Sequence, residues 1–133
     1  MQRPSSVVRI LIVEDNPLDV RLFKDALSGI RLLNEISFAR TGEEALQFVR
    51  EHRPELVILD TLMPLMDGFE VLDEIKSDPE LKNISVIMAT GDLSYVKKRA
   101  PLADGYIEKP IDLESLAAVV SNADTFAVAI VRT

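Results

Sequence analysis

Along this chain two kinds of hydrophobic segment alternate. Short runs rich in β-branched residues occur at positions 8–13, 36–39, 56–59, 85–89 and 106–107. Runs this continuous predict strands buried on both faces, as in a parallel sheet covered by helices. Between them, apolar residues recur three or four positions apart. Leu18, Leu22, Phe23, Ala26, Leu27 and Ile30 trace a first helix that stops near Gly29. A second opens at Thr41-Gly-Glu-Glu44, a capping-box pattern, and continues through Ala45, Leu46 and Val49 until Pro54. Phe69, Leu72 and Ile75 mark a third, ending before Asp78-Pro79. From about Asp112 a last helix carries Leu113, Leu116, Ala117 and Val120.

Five strands alternating with helices through short loops predict an α/β doubly wound domain built on a five-stranded parallel sheet. Right-handed crossovers leave few topologies, and a flavodoxin-like strand order is the economical one. No repeat, linker or low-complexity segment interrupts the pattern. The expectation is therefore a single domain over 1–133, with a core of about 8–121 and an apolar tail at 122–133.

Composition narrows the function. At 133 residues the chain is long enough to bury one core. Its formal charge is −7, without a block of lysines or arginines, so it gains little from counterion release and nucleic-acid binding is not expected. Cysteine is absent, which removes disulfides and thiolate metal sites. The first six residues, Met-Gln-Arg-Pro-Ser-Ser, lack the apolar core of a signal peptide. No apolar run approaches the ~20 residues that span a bilayer, so no membrane association is expected and the cytoplasm is the default location.

Ligands of open α/β sheets bind beyond the carboxyl ends of the strands. Here those ends carry Glu14-Asp15 after the first strand, Asp60 after the third, Thr90 after the fourth and Lys109-Pro110 after the fifth. Clustered carboxylates raise one another's pKa unless a cation intervenes. An oxygen-only set favours a hard ion such as Mg²⁺, with Mn²⁺ able to substitute. With no imidazole at this rim, a catalytic triad does not fit. Phosphoryl transfer does, because it needs positioning and charge neutralisation, and a central carboxylate can serve as nucleophile.

Four segments then carry a resemblance: Ile12-Val-Glu-Asp-Asn16, Leu59-Asp-Thr-Leu-Met-Pro-Leu-Met-Asp-Gly68, Ala89-Thr-Gly91 and Tyr106-Ile-Glu-Lys-Pro110. In this order they resemble the signature segments of response-regulator receiver domains, over roughly residues 8–121. The resemblance implies that Asp60 accepts a phosphoryl group from a phosphohistidine of a sensor histidine kinase or a histidine phosphotransfer protein. It implies Mg²⁺ ligated by Asp15, Asp60 and the backbone carbonyl of Leu62, with Glu14 acting through water. Thr90 would hydrogen-bond one phosphoryl oxygen and Lys109 would pair with another. Tyr106 matches the switch aromatic, turning inward as Thr90 moves, and Pro110 is a candidate cis proline. Such a protein is a signalling switch rather than a turnover enzyme, acting through a downstream protein partner.

The chain departs from the family in two places. Only 19 residues separate Thr90 from Lys109, an interval shorter than usual, and Pro101 interrupts it. The fourth helix is therefore expected to be short or irregular, starting near Asp92. The tail at 122–133 is apolar and β-prone where chain ends are usually polar, which suggests burial in a homodimer or a kinase interface. Two other readings stay open. A phosphorylation-independent adaptor would keep the fold and drop the chemistry. An aspartyl-phosphate hydrolase would need an acid two residues after the nucleophile, where this chain has Leu62.

Overall fold

The computed structural model describes residues 8–28, 34–61, 67–109 and 114. In chain order these form β1 (Val8–Val13), α1 (Pro17–Ser28), β2 (Asn34–Ala39), α2 (Gly42–His52), β3 (Leu56–Asp60), α3 (Gly68–Ser77), β4 (Ser85–Thr90), α4 (Leu93–Arg99) and β5 (Gly105–Glu108). The strands form one parallel sheet in the order β2-β1-β3-β4-β5. Every expected strand is present. Several run one or two residues longer than their apolar cores, because ladder hydrogen bonds continue past the last apolar side chain. The last helix, the tail at 122–133, Leu62 and Pro110 lie outside the described residues, Glu114 excepted.

Strand alternation divides the core. Leu11, Val13, Val57, Leu59, Val86 and Met88 point to one face, where they pack with Leu46 and Val49 of α2, Leu72 and Ile75 of α3, and Val96 of α4. Ile10, Ile12, Ile58 and Ile87 alternate to the opposite face and are equally buried. The strand order reverses after β2, and right-handed crossovers then put α1 on one face and α2, α3 and α4 on the other. Between β1 and β3 the outgoing chains part in opposite directions, opening a crevice at their carboxyl ends.

The helix boundaries follow local chemistry. Thr41 caps α2, its hydroxyl accepting from the Glu44 amide at 3.1 Å. The reciprocal half of the capping box is displaced by one residue, since the Glu44 carboxylate accepts from Arg40 N, not Thr41 N. Arg53 ends α2 in the left-handed region at φ 46°, the one non-glycine there among the described residues. Asp67 and Asp92 cap α3 and α4 in the same way as Thr41. As expected, α4 is short: seven residues, ending at Arg99 with Ala100 as its C-cap just before Pro101.

An unforeseen cluster closes the bottom of the sheet. The Lys76 ammonium, at the end of α3, donates to the carbonyls of Lys82 and Ile84 and to the Asp104 carboxylate at 2.7 Å. Asp104 also accepts from Val86 N through its side chain and donates its own amide to the Val86 carbonyl. One half-buried cation thereby joins α3, the loop into β4 and the entry to β5.

Candidate functional site

Each strand end delivers one group to the crevice. After β1 the ladder carries on for one residue, Glu14 N donating to Ala39 O at 2.9 Å, which draws the Glu14 side chain inside. Its carboxylate accepts from Asn16 N, and Asn16 accepts from Leu18 N as the chain turns into α1. Asp15 follows, exposed, facing the crevice mouth. Asp60 ends β3 and is only 6% exposed. Its position depends on Gly68 at the start of α3, where a Cβ would stand 2.1 Å from the Asp60 carbonyl oxygen. Only glycine admits so close an approach of helix to strand end. Thr90 ends β4, buried, its hydroxyl accepting from Asp92 N at 2.9 Å.

Lys109 crosses over from β5, steered by a hydrogen bond from its amide to Thr90 O. Its ammonium lies 2.8 Å from Glu14 Oε1, 2.8 Å from Asp19 Oδ2 and 3.1 Å from Asp60 Oδ1. One cation thus serves three carboxylates, with Asp15 alongside. Glu14 responds to this surplus of negative charge. Its pKa is pushed up to about 7, first by burial and next by the Asp60 carboxylate, against the opposing pull of Lys109. Burial alone would lower Lys109, yet its hydrogen bonds to Asp19 and Glu14 outweigh that and hold the ammonium above its usual range.

Carboxylate oxygens of Glu14, Asp15 and Asp60 lie within 4.8 Å of one another. All donors are hard oxygens and the cluster carries excess negative charge, so the residues fit a small divalent cation that keeps part of its water. The crevice above them holds about 620 Å³. Its far wall is formed by Phe69, Tyr95 and Arg99.

Glu14, Asp15, Asp60, Thr90 and Lys109 therefore share one crevice, as the strand-end argument expects. Tyr106 sits apart from it. The ring is half-buried on β5, beside Met88, and its hydroxyl donates to Ala100 O at 2.6 Å. Asp19 was missed. It lies in the first turn of α1, directly above the rim, and the helical pattern marks it only as a polar position. Its one sequence signal is its place in the first turn of the helix that follows Glu14-Asp15, which keeps it near that strand end.

The whole-chain comparisons agree with this geometry. Residues 10–121 match the family described as the response regulator receiver domain. The polar-differentiation response regulator DivK of Brucella anthropi is 38% identical over 111 residues, spanning 78% of this chain and 85% of that protein. Among solved structures, the bacteriophytochrome response regulator RtBRR superposes with a TM-score of 0.82 at 30% identity, covering 89% of this chain and 78% of that one. The Mn²⁺-bound form of response regulator Rcp1 gives 0.69 at 31% identity, covering 92% and 88%. The chain belongs to the response-regulator receiver family, a class of two-component signalling switches rather than turnover enzymes. Its acidic cluster is of the kind that holds a divalent metal in this family, and receiver domains as a class interact with histidine kinases.

Proposed function

We propose that Asp60 is the phosphoacceptor of a phosphorylation-driven switch. The observation that carries this reading is the Asp60 carboxylate itself, nearly buried at the base of an open crevice, 3.1 Å from a lysine ammonium and flanked by two further acids. An Asp60 oxygen forms a bond to phosphorus as the bond from phosphorus to the donor imidazole nitrogen breaks. The electron pair returns to the imidazole, which takes a proton from solvent. Mg²⁺, or Mn²⁺ in its place, would be held by Asp15, Asp60 and the Leu62 carbonyl, with Glu14 reached through water; bound there it neutralises charge on the transferring group.

Lys109 and Thr90 complete the cradle. Lys109 releases one of its three carboxylates to pair with a phosphoryl oxygen, and the Thr90 hydroxyl turns from Asp92 N to donate to another. The added charge of about −1.5 to −2 biases α4 and β5 through Thr90, and Tyr106 reports the change to the surface. The donor is a phosphohistidine on a sensor kinase or histidine phosphotransfer protein. Output passes to a downstream protein in the cytoplasm. No helix among the described residues is long and apolar enough to cross a membrane.

Incubation with Mg²⁺ and a small phosphodonor, followed by intact mass measurement, tests the reading. One phosphate should appear, require Mg²⁺ and vanish in Asp60→Asn. If no adduct forms and beryllofluoride also fails to bind, the phosphoacceptor role is wrong and a phosphorylation-independent adaptor replaces it.

A further inference from the structure

Six carboxylates line the crevice, against two cations, Lys109 and Arg99. Even with one divalent cation bound, such a cavity keeps a surplus of negative charge that repels a dianionic phosphodonor. Lys109 cannot relieve this at the mouth, because three carboxylates already hold it. Arg99 differs. Its guanidinium lies 4.0 Å over the Phe69 ring and donates to the Tyr95 hydroxyl at 2.8 Å. Neither partner is charged, and no carboxylate among the described residues pairs with it. Phe69 in turn meets Tyr95 edge-on at 6.2 Å, so the guanidinium is braced on two sides at the wall of the crevice. An exposed guanidinium seated on an aromatic face, with no carboxylate partner among the described residues, is suited to an anionic ligand at this wall, since a planar fork matches a carboxylate in two-point contact.

We infer that Arg99 is an anion-positioning residue for acyl phosphate donors, holding the acyl end of the donor while its phosphoryl group reaches Asp60. This rests on the phosphoacceptor reading above. The Asp60 oxygen bonds to phosphorus, the bond from phosphorus to the acyl oxygen breaks, and the electron pair leaves with the carboxylate, which departs past Arg99. Charge that grows on the leaving group is charge that Arg99 attracts. A donor whose leaving group departs neutral gains nothing from it.

The two small donors acetyl phosphate and phosphoramidate separate these cases, because one releases acetate and the other ammonia. Phosphorylation rates are measured for both at saturating Mg²⁺ in the wild type, Arg99→Met, Arg99→Lys and the control Lys98→Met. Arg99→Met keeps the packing on Phe69 and removes the charge. It should slow acetyl phosphate about fivefold and leave phosphoramidate within a factor of two, the loss shrinking at high salt. Arg99→Lys, which keeps the charge without the fork, should recover only part of the rate, and Lys98→Met should behave as wild type. Equal slowing with both donors would mean a structural role and overturn the inference, as would an unaltered acetyl phosphate rate in Arg99→Met. If the wild type accepts phosphate from neither donor and binds no beryllofluoride, the phosphoacceptor reading itself falls, and this inference with it.

Discussion

Glu14 makes the apo protein sensitive to pH in an unusual direction. Folding moves its pKa from an ordinary 4.5 to about 7. The folded state therefore binds this proton more tightly than the unfolded chain does. At 1.36 kcal/mol per pH unit, that shift makes Glu14 a source of stability below pH 4.5 that is lost as pH rises through 7, about 3 kcal/mol in all. Lys109 adds no slope in this window, because its ammonium is charged throughout in both states. Glu14→Gln keeps one oxygen to accept from Lys109, gives up at every pH the second oxygen that accepts from Asn16 N, and has nothing to titrate. Urea unfolding of both proteins in EDTA, at half-unit steps from pH 4.5 to 8.5, isolates the effect as their difference. Through this titration the variant should gain about 1 kcal/mol on the wild type by pH 5 and about 3 kcal/mol by pH 8. Mg²⁺ at pH 8 should close much of that gap, since a cation favours the ionised form. If the difference stays below about 1 kcal/mol across the range, the buried carboxylate is not strained and the account of the site's charge is wrong.

Three further outcomes follow from packing. Lys76→Met should destabilise the fold by about 2–4 kcal/mol, because it strands two carbonyls and the Asp104 carboxylate, while phosphate uptake at Asp60 survives; a change under about 1 kcal/mol in urea would contradict the cluster's role. Gly68→Ala should cost about 1–3 kcal/mol or more and lower the yield of phosphorylated protein, because the new Cβ must push the Asp60 carbonyl away; wild-type yield and stability would refute this. Arg53→Gly should raise stability by about 0.5–1 kcal/mol, by relieving the left-handed residue at the end of α2. Its exposed pair with Glu80 is too well solvated to offset that gain, and a fall in melting temperature would show otherwise.

Much of the fold and half of the site are legible in the residues themselves. Five apolar runs mark five parallel strands because burial on both faces leaves no room for alternation, and the strand ends then name Glu14, Asp15, Asp60, Thr90 and Lys109. Pro101 correctly signals a truncated α4, since its ring cannot continue a helix. What pattern does not show is which polar residues meet across long separations. Asp19 joins Lys109 from 90 residues away. Lys76 and Asp104 look like ordinary surface charges until the chain folds them together. Arg99 reads as one of three consecutive cations, and only the positions of Phe69 and Tyr95 single it out. The Tyr106 switch rests on its match to a family segment, and in this structure its hydroxyl is engaged by Ala100.

The seven-residue α4 is moored at both ends by hydroxyl groups: Thr90 accepts from Asp92 N at its start, and Tyr106 donates to Ala100 O at its finish. Those moorings make the helix a two-ended balance. Where a shift at one end is carried along the helix to the other, the coupling has the same magnitude in both directions. A protein that grips the outer surface of α4 and prefers one mooring over the other would then alter how firmly the crevice holds its own ligand. A partner on α4 and a ligand in the crevice would each be reading and rewriting the other's affinity.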